Sequence, residues 1–204
     1  MNTLENLVEN LKEEGWLKNS KIIEAFLKIK REDFVIDKDL AYYNTALPIG
    51  FSQTISQPLV VAFMLELLSP EEGEKILDIG SGSGWTTALL AYCVGEGGKV
   101  IAIEIIPELK EFGENNVRKY NFIEKGIVKF ILGDGEMGYK KEAPYDKILV
   151  SASTDKIPEE LKNQLKIGGK LVMPINNSIV QITKMSAKEF KQKEYPGFIF
   201  VPLQ

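Results

Sequence analysis

The chain has 204 residues, and at roughly 150 residues per domain this length predicts a single domain spanning 1–204. Its 25 Lys and Arg residues are outnumbered by 29 Asp and Glu residues, and the resulting net charge of -4 gives no support for nucleic-acid binding. It contains no histidine and one cysteine, Cys93. This composition excludes most zinc sites and every Ser-His or Cys-His catalytic arrangement.

The sequence carries no sign of export or of membrane insertion. Its first residues lack the basic and apolar segments of a secretory signal, and the longest apolar run, 59–65, is far shorter than the ~20 residues that span a bilayer. A lone cysteine also suits a reducing compartment. We therefore expect a cytoplasmic protein with no membrane partner and no nucleic-acid partner, and the sequence leaves its oligomeric state open.

The first 57 residues predict a helical extension followed by a loop. Apolar residues in 4–11 recur at helical spacing, and Ser20 can cap a second helix. A third helix is predicted over 58–68, because Pro58 suits a first helical turn and Ser56 is a plausible N-cap. This helix is apolar on most sides, so we expect it to be buried.

Residues 58–204 predict the core of the protein, because strand and helix signals alternate after a turn at 69–73. This alternation predicts a doubly wound α/β sheet of about seven strands. The predicted strands are 75–79, 99–104, 128–132, 147–151 and 170–174, with helices near 86–94, 107–120 and 158–165. Two further strands are predicted at 179–184 and 198–201, separated by a charged loop.

A glycine-rich turn, 78–85 with the sequence DIGSGSGW, joins the first predicted strand to its helix. In a doubly wound sheet, ligands bind beyond the carboxyl ends of the strands, and glycines let the backbone approach a ligand closely. A nicotinamide-cofactor fingerprint needs a small residue where Trp85 stands, so a dinucleotide is disfavoured. We expect Trp85, Phe51 and Cys93 to be packing residues.

Three acids stand at or near the ends of the first three strands. Glu104 is placed to accept hydrogen bonds from two ribose hydroxyls, and Asp134 could accept one from an adenine amino group. Asp78 either contacts the amine of a ligand indirectly, through the groups that surround it, or accepts hydrogen bonds from the amides of the turn. The plain alternative is that the glycines only start a helix and that the acids are solvated or capping groups.

Two motifs carry a family resemblance. The G-x-G-x-G spacing, with an acid two residues before it, resembles the S-adenosylmethionine loop of the seven-strand methyltransferases. Segment 46–58, ALPIGFSQTISQP, closely resembles the signature of the protein-L-isoaspartate O-methyltransferases. The resemblance covers most of 31–203 and continues through LLSPEEGEKILDIGSGSGW, GDGEMGY, APYDKILVSAS, IPEELKNQLKIGGKLVMPI and FVPL.

The resemblance implies a Rossmann-like methyltransferase fold and S-adenosylmethionine as cofactor. It implies methyl transfer to the α-carboxylate of L-isoaspartyl residues in aged proteins and peptides, which is a repair reaction. It assigns Ser56 as the active-site serine, with Thr54 beside it. The cofactor residues that we expect are Asp78, Gly80, Ser81, Gly82, Ser83, Gly84, Glu104, Ile105, Gly133, Asp134 and Gly135. The substrate residues that we expect are Ser52, Gln53, Ile55, Ser151, Ala152, Ser153, Val201 and Pro202.

The composition agrees with this chemistry. A carboxylate is already an anionic nucleophile at neutral pH, so its methylation needs no general base, whereas a hydroxyl or a protonated amine would benefit from one. Ser56 would then orient the acceptor by hydrogen bonding. The enzyme mainly has to hold the reacting atoms in line and exclude water.

Two positions depart from the family pattern, since many members have an acid at Asn44 and a glycine at Ser52. Both departures lie on the expected substrate side. They leave two other functions open: a methyltransferase of the same fold acting on another carboxylate or on nucleic acid, and a cofactor-binding module without transfer activity.

Overall fold

A seven-stranded sheet forms the centre of the computed structural model, which describes residues 2–198. Its strands are β3 (Lys75–Ile79), β4 (Lys99–Glu104), β5 (Val128–Leu132), β6 (Tyr145–Val150), β7 (Leu165–Ile175), β8 (Ser178–Lys184) and β9 (Phe190–Pro196). Their spatial order is β5-β4-β3-β6-β7-β8-β9. The first five strands run parallel, and β8 and β9 pair antiparallel at one edge. The doubly wound α/β prediction of about seven strands is confirmed.

The chain order reverses at β3, and this reversal locates the ligand crevice. Strands β4 and β5 are added on one side of β3, whereas β6 and β7 are added on the other. Ligands of open α/β sheets bind at such a switch point, outside the carboxyl ends of the strands. The turn after β3 is therefore at the mouth of the crevice.

Helices cover one face of the sheet more heavily than the other. Helices α3 (Pro58–Leu68), α4 (Trp85–Val94) and α5 (Pro107–Arg118) pack against it, and α1 (Leu4–Glu13) and α2 (Ser20–Lys28) extend this layer, with α2 against α3 and α4. The opposite face is covered by α6 (Glu159–Asn163) and by loop residues such as Tyr139 and Ile157. Alternate residues along each strand enter the two cores, as Ile76 and Leu77 do in β3.

The segment predicted as a loop before α3 contains a β-hairpin. Strands β1 (Leu47–Gly50) and β2 (Gln53–Ile55) pair antiparallel around a two-residue turn of Phe51 and Ser52. Buried and exposed residues alternate in β1, which is the pattern of a half-buried strand. Phe51 is 54% exposed at the tip, so the prediction that it is a packing residue is wrong.

Two predicted helix caps are also wrong. The N-cap of α2 is Asn19, whose Oδ1 accepts hydrogen bonds from the amides of Lys21 and Ile22, and Ser20 is the first helical residue. The N-cap position of α3 is Gln57, so Ser56 lies one residue too early to cap it. Sequence spacing defines a cap only to within about one residue, because the cap depends on the local dihedral angles.

The C-terminal region differs from prediction in its boundaries. The expected charged loop after β8 contains β9, whose Lys and Glu side chains are exposed at the sheet edge, as suits an edge strand. The expected helix at 158–165 is shortened to α6, because β7 already begins at Leu165. The predicted strand at 198–201 lies largely outside the described residues, as do Val201 and Pro202. Within 2–198, no helix has both the length and the hydropathy needed to cross a membrane.

Candidate active site

A cleft with about 790 Å³ of empty space opens at the carboxyl ends of β3, β4, β5 and β6. The glycine turn after β3 forms one wall, and the β1–β2 hairpin forms the facing wall. The cleft is lined by Ile49, Gln53, Thr54, Ile55, Ser56, Ile79, Gly80, Ser81, Gly82, Ser83, Trp85, Thr86, Ile103, Glu104, Ile105, Ile106, Leu109, Gly133, Gly135, Ser151 and Ala152. The topology therefore brings the glycine turn and the Thr54-Ile55-Ser56 segment to one site.

The three glycines of the turn have different reasons to be glycine. All have positive φ, at 74° for Gly80, 50° for Gly82 and 84° for Gly84. Gly80 and Gly82 line the cleft, but Gly84 lies outside its lining. A Cβ on Gly84 would be 2.7 Å from the carbonyl oxygen of Gly113 in α5. The missing side chain of Gly84 lets α4 and α5 pack closely, which is a reason for glycine separate from the predicted approach of a ligand.

Glu104 fastens the turn and also faces the cleft. Its Oε2 accepts a hydrogen bond from the amide of Gly82 at 2.9 Å, and its Oε1 accepts from the amides of Ile105 and Ile106 at 2.9 and 3.1 Å. The residue is 6% exposed. Two carboxylate oxygens offer about four lone-pair sites, so acceptor capacity remains for a ligand hydroxyl.

Asp78 is completely buried beneath the turn. Its Oδ2 accepts a hydrogen bond from the Thr87 hydroxyl at 2.6 Å, and its Oδ1 has no partner among the described residues. Burial raises the pKa of Asp78 to about 7; the Thr87 hydrogen bond opposes the rise, and the charge of Glu104 adds to it. Asp78 therefore does not hold the turn's amides, as one prediction had it, and it is absent from the cleft lining.

Several polar groups of the cleft lack partners. Within the part of the chain that the structure describes, neither the Thr54 nor the Ser56 hydroxyl makes a hydrogen bond, and the buried Ser81 hydroxyl and Trp85 indole nitrogen are also unpaired. A buried polar group without a partner is costly, so the Ser81 hydroxyl and the Trp85 nitrogen indicate groups that a ligand satisfies. The Thr54 and Ser56 hydroxyls are at least partly exposed and are open to a ligand or to water. These orphans, the glycine wall and the acid at the end of β4 fit a polar nucleoside cofactor.

The amino end of α3 is capped from a distance by Asn44. Its Oδ1 accepts a hydrogen bond from the Leu59 amide at 3.0 Å, and its carbonyl accepts one from Gln57 Nε2 at 3.1 Å. Asn44 therefore has a structural role outside the cleft lining. Because Asn44 caps α3, the Ser56 hydroxyl is left available to a ligand.

The Gly133-Asp134-Gly135 segment divides between cleft and solvent. Both glycines line the cleft, and a Cβ on Gly135 would be 2.1 Å from Ile79 Cγ2. Asp134 is exposed, lies outside the lining, and its Oδ1 accepts a hydrogen bond from the Glu136 amide at 2.8 Å. The backbone of this segment forms the wall, whereas the Asp134 carboxylate has a turn partner.

The structure brings most of the predicted residues together. Those that line the cleft are Gln53, Thr54, Ile55, Ser56, Gly80, Ser81, Gly82, Ser83, Glu104, Ile105, Gly133, Gly135, Ser151 and Ala152. Those described but outside the lining are Ser52, Asp78, Gly84, Asp134 and Ser153. The lining residues that sequence reasoning missed are mostly apolar: Ile49, Ile79, Trp85, Thr86, Ile103, Ile106 and Leu109. The alternation in β1 could have pointed to Ile49.

Sequence reasoning also missed Arg31, which is fully buried behind the cleft. Its guanidinium donates hydrogen bonds to the carbonyls of Ala41, Tyr43, Thr45 and Ser56 at 2.8, 3.4, 2.9 and 3.1 Å. No carboxylate within 2–198 forms an ion pair with it, and burial lowers its pKa to about 10. No sequence pattern marks a single arginine in this way, because its partners are backbone carbonyls.

Comparisons with known proteins agree with the site. A family profile described as Protein-L-isoaspartate(D-aspartate) O-methyltransferase (PCMT) matches residues 2–204. Protein-L-isoaspartate O-methyltransferases from Methanopyrus kandleri and Thermococcus onnurineus are 44% and 43% identical, over 98% and 96% of this chain and 90% of each relative. A Plasmodium falciparum crystal structure, described as such an enzyme with S-adenosyl-L-homocysteine, matches at 26% identity with a TM-score of 0.90, covering 100% of this chain and 99% of that one.

Fold, cleft and comparisons together define an S-adenosylmethionine-dependent methyltransferase with a Rossmann-like sheet. The two relatives match nearly the whole chain at more than 40% identity, and the family profile covers residues 2–204. The chain belongs to the protein-L-isoaspartate(D-aspartate) O-methyltransferase family. The predicted family, repair activity and cofactor are thereby confirmed.

Proposed function

We propose that this chain transfers the methyl group of S-adenosylmethionine to the α-carboxylate of L-isoaspartyl residues in aged proteins and peptides, using the two facing walls of the cleft. One observation carries the proposal. Among the described lining residues, Glu104 is the sole ionisable side chain with a carboxylate or cationic group, and backbone amides already occupy both of its oxygens. The lining thus offers no free general base, and a carboxylate is the acceptor that needs none.

The glycine wall would hold the cofactor. Glu104 would accept a hydrogen bond from a ribose hydroxyl with its remaining acceptor site, while the backbone at Gly80 and Gly82 permits close approach. Ile105, which is 42% exposed, would offer an apolar surface to a base. When bound, S-adenosylmethionine supplies an electrophilic methyl group on a sulfonium, whose sulfur would leave as the neutral thioether of S-adenosylhomocysteine.

The hairpin wall would hold the acceptor carboxylate. The hydroxyls of Thr54 and Ser56 are donors without partners in the described structure, and the Gln53 amide lies beside them. Hydrogen bonds from these donors would orient a carboxylate oxygen without removing any proton. Ser151 and Ala152 line the cleft at the end of β6 and would contact the substrate backbone.

The remaining assignments stay predictions. These are the adenine contact of Asp134, the substrate contacts of Ser52, Ser153, Val201 and Pro202, the cofactor roles of Asp78 and Gly84, and the single domain over 1–204. The cytoplasmic location and the identity of the damaged proteins that serve as substrates also stay predictions.

Label transfer from radioactive S-adenosylmethionine to matched isoaspartyl and aspartyl peptides tests the proposal. We expect base-labile label on the isoaspartyl peptide alone. Label on another carboxylate or on nucleic acid would favour a different acceptor, and cofactor binding without transfer would leave a binding module.

Two variants separate the acceptor role from helix capping. Ser56→Ala should lower turnover at least tenfold with little change in thermal stability, since Ser56 does not cap α3. Asn44→Ala is the matched control, because it removes the actual cap of α3 and should lower stability while keeping turnover. Normal turnover in Ser56→Ala would contradict the assigned role.

A further inference from the structure

Arg31 is a buried cation with an unusual set of partners. It is 0% exposed, and every hydrogen bond that its guanidinium donates goes to a neutral backbone carbonyl. Its Nε has no partner within the described residues. Burying a charge without a counter-ion opposes folding, so an apolar side chain of similar size would suit the core better.

The four carbonyls lie on both sides of the β1–β2 hairpin. Ala41, Tyr43 and Thr45 precede the hairpin, and Ser56 follows it directly. One terminal nitrogen of the guanidinium, Nη2, bonds to both Thr45 and Ser56 and so ties the two ends of the hairpin together. A planar guanidinium does this well because its donors are fixed in direction.

The same guanidinium also touches a second wall of the cleft. Its central carbon lies 5.2 Å from the centroid of the Trp85 ring, and Trp85 lines the cleft. Arg31 therefore supports, from behind, both the serine that faces the acceptor and a residue next to the glycine turn. Its charged guanidinium thus lies 3.1 Å from the Ser56 carbonyl oxygen.

We propose that Arg31 is a positioning residue for the acceptor: it clamps the base of the hairpin so that Ser56 and Thr54 present their hydroxyls to the isoaspartyl carboxylate. This assignment rests on the proposed function. The clamp acts through the Ser56 backbone and does not contact the reacting atoms. Loss of the clamp should therefore weaken acceptor binding much more than cofactor binding.

Lys184 provides a matched control. It is also buried, and its Nζ donates to the carbonyls of Lys162, Asn163 and Leu165. It lies at the opposite end of the sheet, since its neighbour Thr183 pairs with Lys170 near the amino end of the parallel strands. A change there removes a comparable buried cation without touching the cleft.

The test measures peptide KM, kcat and cofactor Kd in the full-length chain, at a temperature where circular dichroism shows each variant folded. We expect Arg31→Met to raise the isoaspartyl-peptide KM at least tenfold with cofactor Kd within twofold of wild type. Arg31→Lys keeps the charge and some of the carbonyl bonds, so its KM should lie between that of wild type and that of Arg31→Met. Lys184→Met should leave both constants unchanged.

A double-mutant cycle settles the case if Arg31→Met does not fold. Arg31→Lys and Ser56→Ala should be non-additive in kcat/KM, because the clamp works through Ser56. Additive effects, an unchanged KM in the folded Arg31 variants, or an equal rise of KM in Lys184→Met would overturn the assignment. A wild-type chain that transfers no label to the isoaspartyl peptide would instead refute the proposed function itself.

Discussion

The carboxylate of Glu104 and the amide of Gly82 are joined by a 2.9 Å hydrogen bond that links the end of β4 to the glycine turn after β3. The bond makes Glu104 part of the site's framework as well as a hydrogen-bond acceptor for a ligand. Its other oxygen holds two further amides, so the first residues beyond β4 are fixed by the same side chain. The turn is thus shaped before any cofactor binds.

Replacement of Glu104 should therefore weaken both folding and cofactor binding. Glu104→Ala leaves three amides without their acceptor, and we expect it to lower the free energy of unfolding by roughly 2 to 4 kcal/mol. The cofactor Kd should rise by roughly ten- to a hundredfold. Urea unfolding and calorimetric titration measure the two effects. Glu111→Ala, which removes an exposed acid of α5, is the control; equal stability of the two variants would contradict the framework role.

Two glycines of the turn should respond differently to substitution. A Cβ on Gly84 would meet the Gly113 carbonyl oxygen at 2.7 Å and Val117 at 2.9 Å, so Gly84→Ala should lower the free energy of unfolding by roughly 2 to 4 kcal/mol. A Cβ on Gly82 would meet only the flexible end of Ile49, at 3.3 Å. Gly82→Val should abolish most cofactor binding, because it adds a branched side chain to the cleft wall, and the φ of 50° at this position means that it also lowers stability.

Thermal melts and cofactor titrations of both variants check this contrast. Full cofactor affinity in Gly82→Val would refute the argument that the backbone approaches the ligand there. A Gly84→Ala variant as stable as wild type would refute the packing explanation.

Local signals made much of this site predictable. The alternation of strands and helices predicted strands β3 to β7 and a doubly wound sheet, and the G-x-G-x-G turn with Glu104 identified the crevice, because each depends on residues near in sequence. Arg31, Asn44 and the contact between Gly84 and Gly113 were not predictable. Each depends on backbone groups brought together by tertiary packing, and backbone groups leave no trace in the residue pattern.

The buried carboxyl of Asp78 should make stability fall as pH rises. Its folded pKa is about 7, whereas an unfolded aspartate has a pKa near 4. Between about pH 4 and pH 7 the native state therefore holds more protons, so this group lowers the free energy of unfolding by up to ~1.4 kcal/mol per pH unit. Asp78→Asn should remove this slope and gain stability over wild type towards pH 7.

Asp146→Asn is a control of opposite sign. Burial raises the pKa of Asp146, but hydrogen bonds from Lys166 Nζ and the Lys75 amide outweigh burial and leave it below its ordinary value. Its stabilising effect is present above the unfolded pKa and is lost as pH falls. Asp146→Asn should thus be less stable than wild type at pH 7. Urea unfolding from pH 3.5 to 8 measures both variants, and an Asp78→Asn curve parallel to wild type would contradict the assignment.

The tip of the hairpin stores backbone strain that a glycine would relieve. Phe51 and Ser52 have φ of 53° and 58°, the left-handed values that a two-residue hairpin turn requires and that sequences such as Asn-Gly supply more readily. A left-handed conformation costs an ordinary residue about 1 to 2 kcal/mol, whereas glycine loses roughly 0.5 to 1 kcal/mol more entropy on folding. Ser52→Gly should therefore raise the free energy of unfolding by about 0.5 to 1 kcal/mol.

Ser186→Gly is the matched control for this change. Ser186 lies in the β8–β9 connection without a positive φ, and its hydroxyl accepts a long, exposed hydrogen bond from the Lys188 amide at 3.4 Å. Glycine there should therefore lower stability by roughly 0.5 to 1 kcal/mol, through chain entropy and the loss of this bond. Urea unfolding of the two variants, in parallel with wild type, measures the difference. A Ser52→Gly variant no more stable than wild type would contradict the strain argument.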